Sequence, residues 1–155
     1  MVGDSAWVAH IGDSRLYRVS NGRCRQITED DTLVGRLVQE GLLSVEQARE
    51  HPARNVLLRS LGTHADSPVV AKRCASVQIG DYYVLCSDGL HGSVDADDIA
   101  QAVQSFDLET ACRSLIDLAR ERDGRDNISV GVVGVRPAET TAEQTPEDPS
   151  QRTGE

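Results

Sequence analysis

Three aspartates stand beside glycines at the ends of apolar runs. Asp13 follows Val8 to Ile11 in "HIGDSR", Asp88 follows Tyr82 to Cys86 in "CSDGL", and Asp126 precedes Asn127 to Val135 in "GRDNIS". A glycine within two residues of each lets backbone, water or an ion come close. If the runs are strands of one sheet, the carboxylates converge at one end, where they repel each other unless a cation or proton lies between them. Oxygen ligation by Asp, with no His or Cys nearby, selects a hard divalent ion, Mg2+ or Mn2+, rather than zinc. Taken singly, each Asp has a plainer reading: Asp-Gly and Gly-Asp are turn dipeptides, and an Asp before a strand is an ordinary loop residue.

The elements that must position these residues are legible in outline. Leu16 to Val19 and Cys24 to Ile27 flank Ser20-Asn21-Gly22, and Asn-Gly marks a hairpin because both residues accept positive φ. "CASVQIGDYYVLCS" has the same form, with Gly80-Asp81 as the expected turn. Asn127 to Val135 is β-branched with glycine interruptions and reads as a buried strand. Asp107 is the expected N-cap of "LETACRSLIDLARER", whose Leu108, Ala111, Cys112, Leu115 and Ala119 share one helical face. Asp95 and Asp98 open a shorter helix through Ile99, Ala102 and Val103, so that two helices pack on a sheet. Between Glu29 and Thr63 the pattern changes: Ser44 with Gln47 makes a capping box before "VEQAREH", and Pro52 ends that helix. This polar, arginine-bearing excursion reads as an insertion over the sheet edge, either a surface connection or a segment that contacts substrate.

Composition bounds the function. A chain of 155 residues, 39% hydrophobic and 26% charged, suits one soluble domain, and with 3% aromatics its core must rest on Val, Leu, Ile and Ala. No run approaches the roughly 18 apolar residues of a membrane span, and no signal-peptide pattern opens the chain, so a cytoplasmic setting is the expectation. The net charge of -9 speaks against nucleic acid and anionic membrane as partners. From Pro137 on, Glu139, Glu143, Glu147, Asp148 and Glu155 face Arg152 alone, in a Pro- and Thr-rich stretch with little to bury, so residues 137–155 are expected to form a disordered acidic tail. Cys24, Cys74, Cys86 and Cys112 are widely spaced and read as small buried residues, not as a metal site or disulfide framework.

The motifs G-D-S-R, N-V-L-x-R-x-L-G, C-S-D-G-L and R-D-N-I-S, in this order from about Ala6 to Val135, resemble the C-terminal part of the bacterial metal-dependent protein serine/threonine phosphatases (PPM type, type 2C). The resemblance implies an α+β fold, part of an α-β-β-α sandwich in which antiparallel sheets are flanked by helices. It implies residues 1–136 as the C-terminal portion of the catalytic domain, with a flap-like helical segment over about 30–61. It further implies a binuclear Mn2+ or Mg2+ centre whose bound water attacks a phosphoserine or phosphothreonine of a phosphoprotein substrate. Asp88 and Asp126 look like ligands of one ion of the pair and Asp13 like a contributor to a third, weaker metal. Asn127 looks like a residue that orients the ligands from behind; no residue here takes a catalytic role of its own. Nothing in the chain corresponds to the family's N-terminal half, which carries a phosphate-binding Arg, an N-E-D segment and a D-G-x-G-G segment with the metal-bridging Asp. The expectations are therefore a truncated catalytic domain or, alternatively, a non-catalytic phosphatase-like module that binds a phosphoprotein or regulatory partner. Uncovered sheet edges would then invite self-association or complementation. Arg15, Arg54 and Arg59 are candidate phosphate contacts beside the reading of ordinary surface arginines. Among His10, His51, His64 and His91, only His91 is singled out, for its closeness to Asp88.

Overall fold

The computed structural model describes residues 5–62, 69–74 and 76–138. The expectations for residues 139–155, His64 and the side chain of Cys74 lie outside them. Among the described residues, six strands and five helices follow in the order β1 (Ala6–His10), β2 (Arg15–Ser20), β3 (Arg23–Gln26), α1 (Leu33–Gln39), α2 (Val45–Glu50), β4 (Val70–Cys74), β5 (Tyr82–Cys86), α3 (Asp88–His91), α4 (Ala96–Ser105), α5 (Leu108–Arg122) and β6 (Val130–Gly134). They build a four-stranded antiparallel sheet in the order β3-β2-β5-β6 and a two-stranded antiparallel sheet of β1 and β4.

The hairpin of β2 and β3 closes on Asn21 and Gly22, whose φ values of 49° and 78° are those a tight two-residue turn demands. The period-2 rule sends Tyr17, Val19, Val84 and Cys86 to one face of the larger sheet. Against them pack Leu90, Ile99, Val103, Ala111, Leu115 and Ala119 from the helices. With so few aromatics, the alanines of α4 and α5 serve here, because small residues let helix and sheet approach closely. Asp107 caps α5 by accepting the N–H groups of Glu109 and Thr110, and Asp95 with Asp98 forms a full capping box on α4.

Three expectations change. The strand that leads to Asp13, β1, belongs to the two-stranded sheet and not to the sheet of β5 and β6, so the three aspartate-bearing runs are not strands of one sheet. Gly80-Asp81 does form a turn, with φ of 91° at Gly80, but no hairpin: β4 pairs with β1 in the other sheet. Both edges of β5 are already taken, by β2 and β6, and the Gly80 and Asp81 backbones bond to Val135 instead. The buried Asp81 carboxylate fixes this turn, accepting from the Gln78 N–H at 2.8 Å and pairing with Arg18 at 2.6 Å. The stretch 127–135 is not a buried strand but a partly buried one. Its strand, β6, lies at the sheet edge with Val133 44% exposed.

Candidate functional site

Asp88 opens α3, a single turn entered directly from β5 and anchored by the fully buried Leu90. Asp126 lies in the loop between α5 and β6. Ser87 stitches the two together. Its N–H donates to the Ser129 carbonyl at 3.1 Å, its hydroxyl donates to the Asn127 carbonyl at 3.1 Å, and the same hydroxyl accepts the Ser129 N–H at 3.0 Å. Gly89 permits the approach, since a Cβ there would sit 2.4 Å from the Asn127 carbonyl oxygen. The glycine of S-D-G is thus required by the neighbouring R-D-N loop, and Asn127 contributes through its backbone. Asp126 itself accepts the Asn127 N–H at 2.7 Å.

Asp13 sits in the loop from β1 to β2, next to Gly12, whose φ of 92° favours glycine. Asp31 holds this loop from one side: its carboxylate accepts the Gly12 N–H at 3.2 Å and its own N–H donates to the Gly12 carbonyl at 2.8 Å. His91 holds it from the other, with Nε2 3.0 Å from the Asp13 carbonyl oxygen. A carbonyl only accepts, so Nε2 carries the proton. Burial, reinforced by the charge of Arg15, lowers the His91 pKa and keeps the ring neutral.

The three sequence-singled aspartates line one open cleft of about 830 Å3, with His91 and Arg54 among its other walls. Among the described residues none of the three is ion-paired, whereas their neighbours are: Asp30 with Arg15 at 2.7 Å and Asp31 with Arg59. Arg15 also donates to the Tyr17 hydroxyl at 3.1 Å. Burial works against its charge, but the Asp30 hydrogen bonds prevail and raise its pKa. Of the three candidate phosphate-binding arginines, Arg15 and Arg59 therefore serve as braces, and Arg54 remains exposed on the cleft wall. Among the other histidines, His51 accepts the Ala53 N–H at 3.1 Å within a local turn. Sequence reasoning missed Asp30, Asp31 and Ser87; the acidic triplet Glu29-Asp30-Asp31 directly after the hairpin was the available signal.

Carboxylates free of cationic partners among the described residues, exposed at Asp88 and Asp126 and half-buried at Asp13, have the donor chemistry of a Mg2+ or Mn2+ site. Their number falls short: among the described residues no three His, Cys, Asp or Glu side chains gather closely enough to hold one ion. The residues present do not make a complete metal site.

No family model matches the chain. The serine/threonine protein phosphatase PstP of Mycobacterium tuberculosis is 41% identical over 133 residues, a match that covers 86% of this chain and 26% of that protein. A putative protein phosphatase 2C-type of Streptococcus pyogenes is 39% identical over 135 residues, covering 86% and 54%. The crystal structure of Mycobacterium tuberculosis PstP superposes with a TM-score of 0.82 at 36% identity, over 88% of this chain and 57% of that one. A structure of the PstP catalytic domain in complex with two manganese ions superposes with a TM-score of 0.77 at 35% identity, over 88% and 56%. The chain spans between about a quarter and about half of the curated relatives it matches. The motif order and the antiparallel sheets flanked by helices agree with these similarities: the homologues of this chain are type 2C (PPM) protein serine/threonine phosphatases, and it matches part of their catalytic domain.

Proposed function

We propose that this chain works as part of a metal-dependent catalytic domain that hydrolyses phosphoserine and phosphothreonine in proteins, with Mn2+ or Mg2+ as cofactor. The observation that carries the reading is the stitched pair of loops: Ser87 and Gly89 hold Asp88 beside the Asp126 loop, and both carboxylates open on the same cleft without a cationic partner. In this reading Asp88 and Asp126 would supply oxygen donors to one ion, Asp13 would supply one to a weaker site, and Arg54 would meet substrate phosphate from the cleft wall. The helical segment 30–61 serves as the flap beside the cleft. The proposed setting is the cytoplasm, with a phosphoprotein as partner and neither nucleic acid nor membrane; no helix among the described residues is long and apolar enough to cross a membrane.

One observation favours a second reading, a non-catalytic module that binds a phosphoprotein or regulatory partner: among the described residues no three donors gather for an ion. Hydrolysis of p-nitrophenyl phosphate by the purified chain mixed with the part of the PstP catalytic domain that lies outside the match, with and without Mn2+ and beside Asp88→Asn, separates the two. Turnover of the mixture that requires Mn2+ and disappears in the variant supports catalysis. A folded complex without turnover supports the binding module.

A further inference from the structure

We infer that Asp31 is a positioning residue that ties both roots of the helical segment 30–61 to the Asp13 loop, so that the segment and the Asp13 and Asp88 carboxylates are placed as one unit. The tie depends only on contacts among the described residues; its bearing on substrate and metal rests on the phosphatase reading.

Entry and exit of the segment lie side by side. The Leu33 N–H donates to the Val56 carbonyl at 2.8 Å, Thr32 forms a bridge with Leu57, and the Leu58 N–H donates to the Asp31 carbonyl at 2.7 Å. The Asp31 side chain, 12% exposed, closes this neck: its Oδ1 accepts from Arg59 Nε at 3.1 Å and also from Arg59 Nη2. Its other oxygen accepts the Gly12 N–H at 3.2 Å, and the Asp31 N–H returns a bond to the Gly12 carbonyl at 2.8 Å. One residue thus holds the entry, the exit and the loop that carries Asp13.

The neighbouring Asp30 has a different role. Its partners Arg15 and Gln26 belong to β2 and β3, so it fastens the start of the segment to the sheet. Asp31 alone of the two reaches the exit and the Asp13 loop. From that loop the line continues: His91 Nε2 donates to the Asp13 carbonyl at 3.0 Å, and His91 closes α3, the turn that Asp88 opens. Arg59 and Gly12 bond to one carboxylate, and bonds that share an acceptor group polarise and orient one another. A shift at the exit therefore turns the Asp31 carboxylate and moves the acceptor of the Gly12 N–H. Arg54 stands shortly before this exit on the cleft wall, so an anion drawn to Arg54 acts on the Asp13 loop through Asp31.

The test uses the purified chain without metal or substrate, so its outcome is independent of turnover. Arg59→Gln breaks the ion pair at a side chain that is 40% exposed, a position that tolerates exchange without unfolding, and Arg59→Lys keeps the charge. Amide hydrogen exchange is read at residues 12–14 and 56–60 beside the core amide of Val84, which reports global unfolding, and proton–nitrogen correlation spectra follow the amides of Asp88 and His91. The expected result in Arg59→Gln is exchange faster by about tenfold or more at both segments, with shifted Asp88 and His91 resonances, and recovery of both in Arg59→Lys. Faster exchange confined to residues 56–60, with residues 12–14 and the Asp88 and His91 resonances unchanged, overturns the inference. So does an Asp31→Ala protein whose residues 12–14 stay as protected as in the parent. Response of both segments in a chain that gains no Mn2+-dependent turnover with the PstP fragment upholds the tie and counts against the phosphatase reading.

Discussion

Replacing Gly89 by alanine tests the loop apposition on which the site depends. The added Cβ would lie 2.4 Å from the Asn127 carbonyl oxygen, 3.0 Å from its carbon and 3.3 Å from Ile128 Cγ1. The first contact is with backbone, so relief requires the Asn127 peptide to retreat by more than about half an ångström, straining its hydrogen bond with the Ser87 hydroxyl. Overpacking of this kind costs about 1–3 kcal/mol, and a weakened hydrogen bond adds about 1 kcal/mol. Alanine's better helix propensity returns up to about 1 kcal/mol. A net loss of about 2 kcal/mol lowers Tm by about 6–10 °C in a domain of this size. Gly131→Ala is the matched control: its Cβ meets nothing within 4 Å and its φ is not positive, so it should be neutral or stabilising by up to about 1 kcal/mol. Thermal unfolding followed by circular dichroism, with amide exchange across residues 127–129, measures both. A Gly89→Ala protein that melts with the parent and keeps its exchange pattern would refute the close approach of these loops.

Two further outcomes follow from the polar contacts. Burial alone would raise the Asp81 pKa, but the Gln78 N–H, the Ser20 hydroxyl and Arg18 outweigh it and lower it. The stability Asp81 contributes is therefore present above its unfolded pKa of about 4 and lost as pH falls through the lower folded value; urea unfolding at pH 7 and pH 3 should show this loss shrink in Asp81→Asn, which itself costs about 1–3 kcal/mol at pH 7. His91→Leu removes the donor to the Asp13 carbonyl, so the amides of residues 12–14 should exchange faster at a cost of about 1 kcal/mol, while His91→Gln retains an N–H donor and restores protection; equal exchange in both variants would sink the clamp.

Much of the local structure was legible because its causes are local. The turn at Asn21-Gly22 and the caps at Ser44, Asp95 and Asp107 are settled within about four residues, where backbone preference and side-chain hydrogen bonds act without distant help. The motif set around Asp13, Asp88 and Asp126 was legible as well, and the three do line one cleft. Pairing was not: Gly80-Asp81 looked like a hairpin turn until β2 and β6 were seen to occupy β5, leaving β4 to β1. The arginines were equally ambiguous, because Arg15, Arg54 and Arg59 differ only in which carboxylate lies opposite. The sequence by itself determined the caps, the tight hairpin, the alternation of the strands and the oxygen-donor chemistry of three aspartates, all properties carried within short spans of chain. Only the tertiary structure decided that Ser87 and Gly89 bind Asp88's turn to the Asp126 loop and that, among the described residues, β6 is an edge strand and no three donors meet. Those outcomes depend on which distant segments compete successfully for the same strand edge or the same charge, and short-range preference does not encode that competition.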